Sequence, residues 1–275
     1  MTPIVDSHAH IFLRDMPVTP EAWTEIDYAF TAEHLLDTLD RHHVHFAVIA
    51  GLSVAGSYND YMIEALRRHR RLRGTAIVPP ATDRYTLERM RDDGIVGVRL
   101  QLARQARLPD FLDDDHRLLF RRVRDLGWHV HVAIEGPRLR PLLEALMQTG
   151  VKVVIDHFGH PDPKDPLHCD GYLAMIEAVA SGRVWVKLSG GFRLPGMSAW
   201  KTDPDGDLES IAALVAGDLV KRVGPDRLLW GSDAPFVGYE DRLSYGDVLE
   251  SFTRWVPDAA VRAEMSRTAL KLYFS

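Results

Sequence analysis

Two histidines, one residue apart, end the first apolar run of the chain, Ile4-Val5-Asp6-Ser7-His8-Ala9-His10. Successive side chains of a strand point to opposite faces, so His8 and His10 share one face. Two neutral imidazoles on one face suit a divalent transition metal or a paired acid and base. A second pair with the same spacing, His129 and His131, lies in Trp128-His-Val-His-Val-Ala-Ile134. His129 comes earlier in its strand than His131 and is expected to lie deeper. Asp233 follows the buried run Arg227-Leu-Leu-Trp-Gly231 and precedes Pro235. A carboxylate there is a metal ligand, a base that takes a proton from water, or a turn-capping residue. His157 follows Asp156 at the end of Val151-Lys-Val-Val-Ile-Asp156, and Asp156 itself reads as a turn-orienting residue. Arg99 stands inside the apolar run Val96-Gly-Val-Arg-Leu-Gln101, and Arg193 follows Gly190-Gly191-Phe192. A guanidinium in such a setting needs an internal carboxylate or an anionic ligand.

These residues need a scaffold that gathers them. Apolar strand runs recur at Phe46–Gly51, Gly74–Val78, Val96–Gln101, Trp128–Ile134, Val151–Asp156, Val184–Ser189 and Arg227–Gly231, after the first at Ile4. Near-continuous apolarity marks parallel strands buried on both faces. Between them lie helical patterns, beginning with one capped by Thr31, and two further helices near Tyr245–Trp255 and Pro257–Leu272 close the chain. A helix is also expected from about Leu208 to Val223, after a long segment to Asp205. Strands alternating with helices eight times predict a (β/α)8 TIM barrel, read as one domain over residues 1–275. In that architecture the C-terminal strand ends carry the active site. His10, Arg99, His131, His157, Arg193 and Asp233 fall near those ends, whereas His34, His42 and His43, in or just after the first helix, are expected to be solvated. The connection from Ile11 to Phe30 is long enough to expect a functional role.

Composition narrows the classes of partner. The chain has 275 residues, a net charge of −6 and one cysteine, Cys169. Nothing in the charge favours nucleic acid or an anionic membrane. A lone cysteine suits a reducing compartment, and no apolar run reaches membrane-spanning length. The expectation is a cytoplasmic protein, with homo-oligomerisation left open.

The ordered set Val5-Asp6-Ser7-His8-Ala9-His10, Gly97-Val98-Arg99-Leu100, Asp156-His157-Phe158-Gly159-His160-Pro161, Lys187-Leu188-Ser189-Gly190 and Trp230-Gly231-Ser232-Asp233-Ala234-Pro235 resembles the amidohydrolase superfamily, in its amidohydrolase-related branch. Within it the chain is similar to the 2-pyrone-4,6-dicarboxylate hydrolases and their sugar-lactonase relatives. The resemblance implies that Asp233 activates the hydrolytic water and that His8, His10 and His157 surround the scissile carbonyl. It implies that Arg99 and Arg193 hold substrate carboxylates. A second substrate arginine of the pyrone hydrolases falls at Gln105, with Arg104 beside it, so both are candidate substrate contacts. Their strand-five tyrosine falls at Ala133. Those hydrolases work without metal; other members, resembling aminocarboxymuconate semialdehyde decarboxylase, bind zinc. By that pattern His8, His10, His131 and Asp233 would hold one zinc. The reading is a hydrolase that opens a small anionic lactone with no organic cofactor. A metal-dependent decarboxylase and an inactive binding barrel are the alternatives.

Overall fold

The computed structural model describes residues 2–20, 22–196, 207 and 209–275. Eight parallel strands stand side by side in sequence order: β1 (Val5–Ala9), β2 (Phe46–Ala50), β3 (Leu72–Ala76), β4 (Ile95–Gln101), β5 (His129–Ala133), β6 (Lys152–Ile155), β7 (Val184–Ser189) and β8 (Leu228–Gly231). Between them run α1 (Ala32–Arg41), α2 (Asp60–Arg68), α3 (Arg84–Asp92), α4 (Asp114–Asp125), α5 (Leu139–Thr149), α6 (Asp170–Val179) and α7 (Ser210–Arg222). After β8 come α8 (Tyr245–Trp255) and α9 (Ala259–Tyr273). This is the expected TIM barrel.

Sheet closure brings β8 back to β1. The Asp233 amide donates to the His8 carbonyl at 2.7 Å, and the His10 amide donates to the Ala234 carbonyl at 2.8 Å. Below them the buried Asp6 carboxylate accepts from the Ser232 amide (2.8 Å), the Ser232 hydroxyl (2.6 Å) and the Tyr245 hydroxyl (2.9 Å). A buried carboxylate must be satisfied in this way, and here its partners tie the first strand to the last.

The outer faces of the strands pack on the helices through one continuous core that includes Leu35, Ile49, Leu119, Val130, Leu142, Val186 and Leu219. Thr31 caps α1 as expected, its hydroxyl accepting from the His34 amide at 3.2 Å. The third strand begins two residues before the apolar run predicted for it. Its register starts at Leu72 opposite Ala47, and it includes Arg73, whose guanidinium stacks on the Phe274 ring at the N-terminal end of the barrel. A charge there hid the strand's start. Residues 197–206 and 208, which include the end of the segment to Asp205 and the expected start of the Leu208–Val223 helix, lie outside the described residues; the helix body is α7.

Candidate active site

The register of β4 and β5 aligns Arg99 with His131 and Gln101 with Ala133, so these four share the inner face. His8, His131, Asp156, Lys187 and Asp233 are buried, and all meet at the C-terminal half of the barrel. Their contacts form two layers that share His8.

The inner layer centres on Asp156. One carboxylate oxygen lies 3.0 Å from His8 Nδ1 and also bonds His131 Nε2; the other accepts from Arg99 Nη2 at 3.1 Å. Lys187 Nζ reaches the same carboxylate at 3.5 Å and lies 3.0 Å from His131 Nε2. Burial alone would push the Asp156 carboxyl up, but His131, His8 and Lys187 outweigh it and hold it well below the usual carboxylate range. Burial lowers the Lys187 ammonium to about 8, with Asp156 opposing the shift.

The outer layer centres on Asp233. His8 Nε2 and His10 Nε2 each lie 3.4 Å from Asp233 Oδ1, and 3.3 Å from each other. Arg193 Nε donates to Asp233 Oδ2 at 2.5 Å, and both Arg193 Nη atoms reach the Val237 carbonyl. Burial would raise the Asp233 carboxyl, but the Arg193 guanidinium beside it overcomes burial and holds it well below the usual carboxylate range. His157 packs against His8, its Nδ1 3.1 Å from the Ser189 carbonyl. Burial depresses His8, His131, His157 and His160, which are therefore neutral. His157, His160 and Asp233 all hold left-handed backbone conformations (φ of 49°, 42° and 63°). Such non-glycine outliers concentrate where the surrounding structure fixes a site.

Ring tautomers follow from these contacts. His8 Nδ1 donates to Asp156 and His10 Nδ1 donates to the Ala50 carbonyl at 2.9 Å. Both Nε2 atoms then face the same point, beside a carboxylate oxygen. Zinc ligands at about 2.0–2.1 Å in a tetrahedron lie roughly 3.3–3.4 Å apart, which matches the three observed separations. The donor set His8, His10 and Asp233 therefore fits one divalent cation, with Asp156 and Ala50 orienting its imidazoles from behind. His131 faces the lumen as the sequence suggested. Its ring nitrogen, however, is engaged by Asp156 in the other layer, where it forms a separate group with His8. The four residues expected around one zinc are thus divided by the interposed Asp156 and Lys187.

Above the two layers a pocket opens, lined by His10, Arg99, Arg104, His157, Arg193 and Asp233. Trp23 and Ile26, from the long first connection, form part of its wall, and Arg104 lies over the Trp23 ring at 4.4 Å. Gln105 faces a neighbouring groove and donates to the Gln101 carbonyl at 2.8 Å. Two buried cations, Arg99 and Lys187, and the partly buried Arg193 face the buried carboxylates of Asp156 and Asp233, so these five groups carry one net positive charge.

Comparison with known proteins follows the same lines. The amidohydrolase family pattern matches residues 5–274. The chain belongs to the amidohydrolase family. Among curated amidohydrolase relatives, a 2-pyrone-4,6-dicarboxylate hydrolase of Comamonas testosteroni is 28% identical over 278 residues, covering 97% of this chain and 87% of that one. A 4-sulfomuconolactone hydrolase of Rhizobium radiobacter is 28% identical over 274 residues, covering 94% and 85%. A crystal structure described as a probable 2-pyrone-4,6-dicarboxylic acid hydrolase of Acinetobacter baumannii, with citric acid bound, superposes with a TM-score of 0.89 at 28% identity, covering 98% of both chains.

Sequence reasoning passed over two members of this amidohydrolase centre. Asp156 was read as orienting a turn, yet it is the hub of the inner layer. Lys187 received no role. The signal that singled out Arg99, a charge within an apolar strand, applies equally to Lys187 in Val184-Trp-Val-Lys-Leu-Ser189.

Proposed function

We propose that this amidohydrolase opens a small carboxylated lactone, of the pyrone dicarboxylate or sugar-lactone kind, using water deprotonated by Asp233. The observation that carries the reading is an ionised, buried Asp233 on the floor of a pocket with net positive charge. The lactone-hydrolase names of the curated relatives point the same way.

In this mechanism Arg99, Arg104 and Arg193 attract the substrate and orient its carboxylates. Asp233 Oδ1 accepts a proton from water. The Nε2 lone pair of His157, whose Nδ1 is committed to Ser189, accepts the second hydrogen and aims the water oxygen at the lactone carbonyl. The new C–O bond forms as charge moves to the carbonyl oxygen. The ring C–O bond then breaks, and the leaving oxygen takes the proton held on Asp233. An open-chain hydroxy acid or its keto tautomer departs.

One expectation needs adjusting on physical grounds. His8, kept neutral by burial, bonds through Nδ1, so its Nε2 offers a lone pair and does not donate to an oxyanion. Positive charge must come from the guanidiniums or from a cation. A divalent metal held by His8, His10 and Asp233 would supply Lewis-acid polarisation of the carbonyl and acidify water. The deciding experiment is a panel of carboxylated lactones assayed for both ring opening and gas release. Ring opening without carbon dioxide is expected. Carbon dioxide release from an aromatic or muconate acid, with every lactone left intact, would replace this reading with a decarboxylase.

A further inference from the structure

The wall of the pocket formed by β4, β5 and the loop after β6 carries three buried polar atoms with no partner: Arg99 Nε, Gln101 Oε1 and His160 Nε2. Buried polar atoms are as a rule satisfied, and of the ten such orphans among the described residues three converge on this one pocket wall, which calls for a ligand. Arg99 and His160 are held in place by their neighbours. Arg99 directs one hydrogen of Nη1 to the Gly51 carbonyl at 2.5 Å and one of Nη2 to Asp156, while its Nε–H has no partner. Gln101 lies two residues further along the same face of β4. The His160 ring packs 5.0 Å from His157, and its carbonyl accepts from the Gly136 amide at 2.8 Å. Between these side chains β5 contributes only the methyl of Ala133, which leaves the space open.

The chemistry of the orphans is mixed. Arg99 Nε can only donate. Gln101 Oε1 can only accept. A neutral His160 can do either at Nε2. A carboxylate could satisfy Arg99 but would place one acceptor oxygen against another at Gln101 Oε1. A hydroxyl satisfies both, accepting from Arg99 and donating to Gln101. We propose that Gln101 and His160 are specificity-determining residues which, with Arg99 Nε, bind a hydroxyl group on the non-reacting part of an anionic substrate. The inference rests on the lactone-hydrolase reading and narrows it to hydroxylated lactone acids. Ionised pyrone dicarboxylate carries no donor for Gln101, so a site built this way selects against it.

The test uses two inert tricarboxylates that differ by one hydroxyl, citrate and tricarballylate, with affinities measured by titration calorimetry on the full-length protein. The wild type should bind citrate at least about tenfold more tightly, the size expected when a buried donor–acceptor pair is lost. Gln101→Leu and His160→Phe should each narrow that ratio to within about twofold. Equal affinities in the wild type overturn the proposal, as does binding of neither compound at 10 mM (roughly ten times the Kd of a −4.1 kcal/mol ligand). A citrate preference that survives in both variants also overturns it, because the hydroxyl is then read elsewhere, for example by a metal at His8 and His10. The readout is binding, so the two ideas fail separately. Lactone turnover with no hydroxyl preference removes only the subsite, whereas a hydroxyl preference with every lactone left intact removes only the reaction.

Discussion

Asp233 and Arg193 share one ion pair, and that pair sets what each can do. With Asp233→Asn the proposed base is gone while the volume stays, so kcat for lactone opening should fall by about 10²-fold or more. A purified, folded variant that kept half its kcat would remove Asp233 from the role of base. Arg193→Met has two consequences. Loss of a charge-assisted contact to substrate is expected to raise KM for carboxylated lactones roughly tenfold to a hundredfold, and KM for neutral lactones much less. It also removes the cation that holds the Asp233 carboxyl down. The folded-state pKa of Asp233 then rises, and the acidic limb of the kcat/KM profile, which requires ionised Asp233, should move to higher pH. An unmoved limb would mean that the pair at 2.5 Å does not control the base. Metal content separates the two layers. Elemental analysis of protein purified without a histidine tag should give about one zinc, lost in His10→Ala and kept in His131→Ala. Loss in both would return His131 to the ligand set. These pairings mark where the sequence ceased to be legible. Arg193 and Asp233 were each visible as charges at strand ends, but their contact spans forty positions and depends on a distance no pattern encodes.

At the scale of elements, the strands were legible because burial on both faces leaves a continuous apolar run, and their polar ends stood out against it. Boundaries failed where a charge entered the run, as at Arg73 in β3. Strand β5 was the sensitive case, since a slip of one residue would have turned its histidines outward. The side chain of His129 explains why its register is fixed. Gly97 lies opposite it, and a Cβ on Gly97 would come within 2.7 Å of the His129 ring. A second glycine does the same for the site. Gly190, just past β7, has φ of +56°, and a Cβ there would sit 2.6 Å from His157 Nδ1 and 3.2 Å from Asp233 Oδ2. Gly190→Ala should therefore displace His157, which we propose aims the water, and strain the turn by about 1–2 kcal/mol. Activity is expected to fall more than tenfold while the melting temperature drops by only a few degrees. Full activity in Gly190→Ala would show that the 190–193 turn has slack, and that His157 is not held by it.

For the whole molecule, the barrel interior is a low-dielectric cylinder in which titratable groups replace part of the usual packed core, and acid should find it vulnerable in two stages. His129 is completely buried beside the Tyr273 ring, and burial lowers its pKa to about 3, with Lys187 and Lys152 adding to the shift. In the unfolded chain a histidine titrates near 6.5. Between those values the unfolded state binds a proton that the native state does not, so stability rises with pH and is lost as pH falls from 6.5 toward 3. The slope from one such group is at most about 1.4 kcal/mol per pH unit. His8, His131, His157 and His160 are shifted in the same direction and steepen it. Asp156 and Asp233 act later, because their depressed folded-state pKa values withdraw stability only as pH falls below the ordinary carboxylate value. Urea unfolding at pH 7, 6, 5 and 4 should thus show a loss that begins near 6.5, well above the carboxylate range. In His129→Gln, which keeps a polar side chain in the same space and cannot be protonated, the slope between pH 6 and 4 should be shallower than wild type by up to about 1.4 kcal/mol per unit. A variant slope equal to that of the wild type would mean that His129 takes up its proton in the native barrel, and that water reaches the lumen floor between His129 and Tyr273.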